Sequence, residues 1–214
     1  YRTIAEVLKE AGYATGFFGK WHLGREPYMP TEQGFDVNVG GGPYPGPPSY
    51  FSPYRIHTLA DGPKGEHITD RLTEEAIRFV KEHAEQPFFL NFWHYSVHAP
   101  YQAKDHQIDR FSKKVESDNP QRNPIMGGML ESMDQSVGRV LDTLDELGIA
   151  ERTIIIFTSD NGGNMYDRPG GLTPTNNHPL RGGKATIYEG GSRVPLIVIW
   201  PDTIAPAAKS EAIV

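Results

Sequence analysis

Three absences from the 214-residue chain exclude whole classes of protein. With no cysteine, these residues hold no disulfide framework, no thiolate zinc site and no cysteine nucleophile, and the redox compartment stays undetermined. No stretch approaches the roughly 18 uninterrupted apolar residues of a membrane span. Lys and Arg number 21 against 27 Asp and Glu, so the net charge of -6 argues against broad nucleic-acid affinity. An anionic ligand must therefore be met by a local cluster of cations.

The length and composition fit one soluble globular domain, with 37% hydrophobic and 22% charged residues and no internal repeat. The first residue is Tyr1 rather than Met, and a helical pattern starts at once. The last residues, 210–214, end on an apolar run without a turn. We therefore expect residues 1–214 to be a partial domain truncated at both ends, with the native start, and any signal peptide, upstream.

Apolar residues at helical spacing predict three helices. These are residues 1–11, with Ile4, Val7, Leu8 and Ala11 on the apolar face; 69–85, with Leu72, Ala76, Phe79 and Val80; and 124–147, closed by Gly148 and rich in methionine that we interpret as core filling.

Four short apolar segments predict strands: 13–18, 87–93, 153–157 and 194–200. The last two are continuous β-branched or aromatic runs, which is typical of strands covered on both faces. Strands alternating with helices predict an α/β fold with a mainly parallel sheet flanked by helices. Residues 24–66 carry much of the Pro and Gly and predict a long loop.

Polar side chains follow the predicted strands, at the edge where α/β sheets bind ligands. They are Lys20 and His22 after the first strand, His98 after the second, Asp160 and Asn161 after the third, and Lys184 in the loop before the last.

Each of these residues also has a plain structural interpretation. Asp160-Asn161-Gly162-Gly163 is either a turn or a source of hard oxygen ligands for Ca²⁺ or Mg²⁺. His98 is either a loop histidine bonded to a backbone carbonyl or a functional base, and His94 is structural or a second-layer residue. Lone lysines are usually solvated surface charges. Only the combination favours a functional site.

The combination resembles the sulfatases of the alkaline phosphatase superfamily. The segment 12–22, GYATGFFGKWH, resembles the second signature of that family, and 180–195, LRGGKATIYEGGSRVP, matches the block around its distal catalytic lysine. Three shorter motifs, at 34–36, 97–100 and 158–162, fall between them in the family's order. The resemblance implies a sulfatase-like α/β catalytic domain that hydrolyses sulfate esters.

Carried over by position, the resemblance assigns roles to these side chains. Lys20 and Lys184 would bind the sulfate oxygens, with Lys184 also near the bridging oxygen. His98 would stand by the leaving alcohol, and His22 by the hydroxyl of the nucleophile. Lys20 and His22 lack a nearby carboxylate in the sequence because their partner would be the anionic substrate.

The resemblance also implies a metal and a wider substrate contact. Asp160 and Asn161 would complete a site for one Ca²⁺, the family's usual metal. His178, just ahead of the Lys184 block, is a weaker candidate for substrate contact. The expected ligand is a sulfated small molecule or glycan, without nucleic acid.

Two parts of the family's machinery are absent from these residues. The nucleophile is a formylglycine made from Cys or Ser in a C/S-x-P-S-R motif, which we expect upstream together with two metal-binding aspartates. This piece alone is therefore expected to be inactive. A phosphoester or phosphonate hydrolase of the same superfamily, or an inactive relative that only binds sulfated glycans, remain as alternatives. By the same resemblance, we expect export or a lysosomal-type compartment.

The aromatic residues of the 24–66 loop have two open interpretations. They form part of a sugar platform, or they pack an ordinary loop from inside. The residues concerned are Tyr44, Tyr50, Phe51, Tyr54 and His57.

Overall fold

Helices and strands alternate along the chain in the computed structural model, which describes residues 1–116 and 118–213. The elements in chain order are α1 (Ile4–Glu10), β1 (Ala14–Gly19), β2 (Val37–Val39), α2 (Ile68–Glu82), β3 (Phe88–Trp93), α3 (Asp105–Ser112), α4 (Pro124–Glu146), β4 (Ile155–Thr158), α5 (Glu189–Ser192) and β5 (Leu196–Ile199). Among the residues described, no helix combines the length and apolar character needed to cross a bilayer.

The central feature is a three-stranded parallel sheet in the order β2-β1-β3. Along β1 and β3 the register runs from Ala14 opposite Phe88 to Gly19 opposite Trp93. The two strands therefore end level with each other, and the residues that follow them emerge at the same edge. This sheet and its flanking helices confirm the α/β, mainly parallel architecture.

The edge strand β2 lies inside the segment predicted to be a loop. It has only three residues, followed by Gly40, and three residues are too few to show a period of two. The rest of 24–66 is irregular apart from a 3₁₀ turn at Pro30–Gln33 and a single bridge between Phe51 and His67.

Helix α2 packs directly against β1 and β3, and α4 packs on α2 and α3. Leu72, Ala76, Phe79 and Val80 of α2 are all buried, as their spacing predicts. Phe79 packs against Phe18 of β1 with ring centroids 5.5 Å apart. In α4, two of the methionines, at 126 and 129, are buried, so their interpretation as core residues is confirmed.

Helix α1 forms where the sequence predicts, but its predicted apolar face does not face the core. Thr3 and Glu6 make a capping box, with Thr3 Oγ1 accepting from Glu6 N at 3.1 Å. Ile4 and Val7 are 63% and 46% exposed, whereas Ala5 is fully buried. The small side chain lets the helix approach the Phe17 and Phe35 cluster closely, and the larger residues point outward.

The strands β4 and β5 also form as predicted, but the expectation that both faces are covered is wrong for the described residues. They pair antiparallel, with Ile155 opposite Ile199 and Thr158 opposite Leu196. Ile156, Leu196 and Ile199 are 64%, 43% and 46% exposed. The apolar run marks these strands correctly, but hydrophobicity alone does not say which faces the rest of the chain covers.

Candidate active site

Lys20 is positioned by the pairing of β1 with β3. Its backbone N–H donates to the Trp93 carbonyl at 2.8 Å, which continues the ladder one residue past the strand. Gly19 has φ +107°, and a Cβ there would overlap that same carbonyl. A glycine is therefore required at this point, and the lysine that follows leaves the sheet at its carboxyl edge.

The ammonium of Lys20 is half-buried beside charged groups from two later loops. Burial is the main cause that lowers the pKa of Lys20. The Asp160 carboxylate opposes this shift, and the positive charge of Lys184 adds to it. Both residues are more than 130 positions away in sequence and still act on Lys20 electrostatically. The fold has therefore brought the loops after β1 and β4 together.

His98 lies in the loop after β3 and joins the same group. Burial lowers its pKa, proximity to Lys184 and Lys20 lowers it further, and Asp160 opposes the shift. Its Nδ1 lies 2.8 Å from the carbonyl oxygen of Ala99. A carbonyl only accepts, so Nδ1 carries the proton and Nε2 is left to exchange a proton with a ligand.

His98 is thus both a carbonyl-bonded loop histidine and a member of the charged group. Its main chain is also held, because the buried hydroxyl of Tyr50 lies 2.9 Å from the His98 carbonyl. On the other side, Gly46 packs so closely that a Cβ there would lie 2.7 Å from Nδ1 of His98.

Asp160 and Asn161 form the turn that leaves β4. Among the described residues, the Asp160 carboxylate has neither an ion pair nor a hydrogen bond, and it is exposed. Asn161 donates from Nδ2 to the Gly162 carbonyl at 3.2 Å, which leaves Oδ1 without a donor in the described chain. Both residues therefore present free oxygen atoms.

These oxygens suit a hard divalent cation, but they do not form a whole shell. Ca²⁺ takes six to eight oxygen ligands. Within 1–116 and 118–213 no group of three or more His, Cys, Asp or Glu residues is arranged to hold a metal. Asp160 and Asn161 fit the metal as two of its ligands only.

Lys184 is positioned by hydrogen bonds between loops rather than by a strand. Its backbone N–H donates to the Gly163 carbonyl at 3.0 Å. The side chain of Asn177 accepts from Gly163 N at 3.1 Å and donates to the carbonyls of Gly163 at 2.9 Å and Gly182 at 3.1 Å. Asn177 therefore joins the Asp160 turn to the Lys184 loop.

A close backbone approach completes this junction. Gly162 N donates to the Gly191 carbonyl at 2.9 Å, and a Cβ at Gly162 would overlap the carbonyl of Gly190. Sequence reasoning missed Asn177, because its partners lie in two other turns and no local pattern marks it.

The structure does not bring His22 and His178 into the charged group. His22 is exposed in the left-handed region, with φ +53°, and its N–H donates to the Gly42 carbonyl at 2.9 Å. His178 is exposed, and its N–H donates to Asn176 Oδ1 at 2.7 Å. Neither is among the groups that shift the pKa of Lys20 or His98.

Tyr50 and Tyr54 are fully buried, so these two pack the 24–66 loop from inside. The pair formed by Tyr44 and His57 lies nearer the surface, with Tyr44 Oη 2.8 Å from His57 Nδ1. Of the five ring-bearing residues singled out in this loop, Tyr44, His57 and the half-buried Phe51 therefore remain as candidates for contact with a sugar.

His94, which follows β3 directly, packs its ring on Phe92 with centroids 4.0 Å apart. Its Nδ1 is shielded from solvent and has no hydrogen-bond partner in the described chain. Burial lowers its pKa to about 4. The His94 imidazole is therefore neutral near pH 7 and lies against Phe92 at the end of β3.

Fold and site together define an α/β protein with a group of charged side chains at the carboxyl edge of its parallel sheet. Two lysines, a histidine with a free Nε2 and an unpaired carboxylate meet there, although each comes from a different loop. Such a set has the chemistry to bind a small tetrahedral anion and to offer two oxygen ligands to a divalent cation.

The sulfatase family model matches residues 1–214, and the chain belongs to that family. It is 32% identical over 234 residues to an arylsulfatase of Hemicentrotus pulcherrimus, covering 99% of this chain and 40% of the relative. It is 34% identical over 234 residues to the N-acetylgalactosamine-6-sulfatase of Mus musculus, covering 97% and 41%. The chain thus spans about two fifths of the length of these relatives.

Solved structures show the same relationship. The crystal structure of Ps i-CgsB in complex with k-i-k-neocarrahexaose superposes with a TM-score of 0.75 at 30% identity, covering 93% of this chain and 47% of that one. The family resemblance and the sulfatase-like fold are therefore confirmed.

Proposed function

We propose that this chain is part of an enzyme that hydrolyses sulfate esters of a carbohydrate or an aryl alcohol through a formylglycine nucleophile encoded upstream of Tyr1. The observation that carries the proposal is that Asp160 and Lys184 both act electrostatically on Lys20 and on His98. Family membership supplies the reaction class.

The two lysines suit the charge of a sulfate ester. In the transition state, negative charge moves from the sulfuryl oxygens toward the bridging oxygen. Lys20 and Lys184 bind the non-bridging oxygens, with Lys184 also near the bridging oxygen. The fixed ammonium of Lys184, near the bridging oxygen where that charge develops, needs no reorganisation and stabilises the transition state more than the bound ester. Lys20 holds the sulfuryl group in place.

His98 suits the proton transfer to the leaving alcohol. When the S–O bond to the alcohol breaks, the leaving oxygen takes a proton from Nε2, while Nδ1 keeps its bond to Ala99. Burial and the two lysines lower the pKa of His98, which makes its protonated form a stronger acid for a poor leaving group. His22 is assigned to the nucleophile's hydroxyl by position in the family motif.

Asp160 and Asn161 would hold one Ca²⁺ together with ligands from outside these residues, and the ion when bound would add positive charge beside the sulfate. For the substrate, relatives named as N-acetylgalactosamine-6-sulfatases support a sulfated sugar, with His178 as an outer contact. We propose an exported or lysosomal-type location on the same grounds.

The test is to assay the complete gene product, with Ca²⁺, on 4-nitrophenyl sulfate and on galactose 6-sulfate. Lys184→Ala should lower kcat/KM by roughly 10²- to 10³-fold, since one fixed charge on the developing anion is lost. Lys64→Ala, at an exposed lysine away from the site, is the matched control and should leave the rate unchanged.

Two results would contradict the proposal. Wild-type protein that turns over neither ester would remove the reaction class. Turnover by residues 1–214 alone would refute the upstream nucleophile.

A further inference from the structure

Three side chains join the loop that carries His98 to the loop that carries Asp160 and Asn161. The hydroxyl of Tyr101 donates to Asp167 Oδ2 at 2.9 Å. Asn164 Nδ2 donates to the same carboxylate oxygen at 2.8 Å and to Tyr101 Oη at 3.2 Å. The three therefore form a closed triangle of hydrogen bonds.

The triangle spans two separate parts of the chain, 63 residues apart between Tyr101 and Asn164. Tyr101 comes three residues after His98, and its ring packs against the main apolar cluster, so its end of the triangle is anchored. Asn164 comes three residues after Asn161, and its Oδ1 also accepts from Tyr166 N at 2.9 Å. Each end of the triangle is thus fixed within its own loop.

The hydroxyl of Tyr101 is the donor to Asp167 in this contact. Burial and the Asp167 carboxylate both raise the pKa of Tyr101, so the phenol keeps its proton. A hydrogen bond from a phenol to an ionised carboxylate is charge-assisted, and it is stronger than a hydrogen bond between neutral groups.

We propose that Tyr101, Asn164 and Asp167 form a latch that positions His98 against Asp160 and Asn161. The inference rests on the proposed function, in which His98 protonates the leaving alcohol. The three are positioning residues, because they act through His98.

The latch has a consequence that ordinary structural support does not share. Displacing a reacting group by about 1 Å can cost roughly 10²-fold in rate. Proton donation matters for a sugar hydroxyl, which is a poor leaving group, and little for the acidic 4-nitrophenol. Loss of the latch should therefore slow the sugar sulfate selectively.

The experiment compares kcat for galactose 6-sulfate and 4-nitrophenyl sulfate in the complete gene product. Tyr101→Phe keeps the ring packing and removes both bonds to the hydroxyl, and we expect roughly 10- to 100-fold loss on the sugar sulfate and under about threefold on the aryl sulfate. His98→Ala should show the same selectivity with a larger loss.

Two further variants separate the latch from a general disturbance. Asp167→Ala should reproduce the selective loss, and Asp167→Asn should restore part of it because an amide oxygen still accepts from the phenol. Tyr166→Phe is the matched control, since Tyr166 lies in the same loop, is 57% exposed and has no side-chain hydrogen bond in the described chain.

Equal slowing of both substrates by Tyr101→Phe, or no slowing, would overturn the latch while leaving the proposed function intact. Wild-type protein that hydrolyses neither substrate would overturn the proposed function, and the latch with it.

Discussion

The two lysines of the site are held in different ways. Lys20 follows a strand, and its backbone is bonded to the neighbouring strand at Trp93. Lys184 lies in a loop between β4 and α5, and that loop is held by the side chain of Asn177 and by close glycine contacts. Substitutions at the strand end that holds Lys20 should therefore destabilise the whole fold. Substitutions in the loop that holds Lys184 should impair the site more than the fold.

The largest effect is expected from Gly19→Ala. The positive φ and the overlap with the Trp93 carbonyl should together cost roughly 3–5 kcal/mol of unfolding free energy. Gly12→Ala is the matched control, because its φ is +87° but nothing lies within 4 Å of the added Cβ. It should cost only about 1 kcal/mol. Urea unfolding measures both, and equal losses would show that Trp93 does not constrain this strand end.

The next largest effect is a fall in the free energy of unfolding at acid pH, caused by the buried His94. This residue follows β3, the strand that pairs with β1. Its pKa is about 4 in the folded protein and 6.5 ordinarily, so the unfolded chain binds the proton more readily between these values. The stabilisation is complete above pH 6.5 and is lost as the pH falls toward 4, by about 3 kcal/mol.

His94→Phe should reduce this acid loss in urea unfolding measured from about pH 7.5 to about pH 4.5, while His67 and His98, whose pKa values are also lowered, keep the remainder. His106→Phe, at an exposed histidine of α3, is the control. An unchanged pH slope in His94→Phe would refute the burial of a neutral ring.

The smallest effect on stability, but a large one on activity, is expected from Asn177→Ala. Loss of three hydrogen bonds should cost about 1–3 kcal/mol. The displaced Lys184 should lower kcat/KM by roughly 10- to 100-fold in the complete gene product. Asn176→Ala, which removes only a local turn contact, is the control. A loss of stability without a loss of rate would make Asn177 purely structural.

Sequence reasoning recovered most of the Lys20 side and less of the Lys184 side. The strands β1 and β3 and the helix α2 have clear periods, and Lys20 and His98 follow directly from where those strands end. Asn177 bonds to Gly163 across 14 residues and Tyr101 bonds to Asp167 across 66, and a hydrogen bond between distant loops leaves no periodic trace.

The sequence also did not predict which face of helix α1 is buried. The spacing of Ile4 and Val7 predicts a helix correctly, but the choice of Ala5 as the buried contact depends on the shape of the neighbouring Phe17 cluster. The resemblance to sulfatases singled out the two lysines because the motifs that carry them are long. It singled out His98 because the short motif at 97–100 falls between them in the family's order.

The central claim is that Lys20, His98, Asp160 and Lys184 surround one small anion. The most direct measurement is the pKa of the His98 imidazole, followed by NMR in residues 1–214 with and without inorganic sulfate. The account predicts a pKa below 6.5 in the free protein that rises in Lys184→Ala and also rises when sulfate is added to wild-type protein. A pKa that responds neither to Lys184→Ala nor to sulfate would contradict the convergence of these residues.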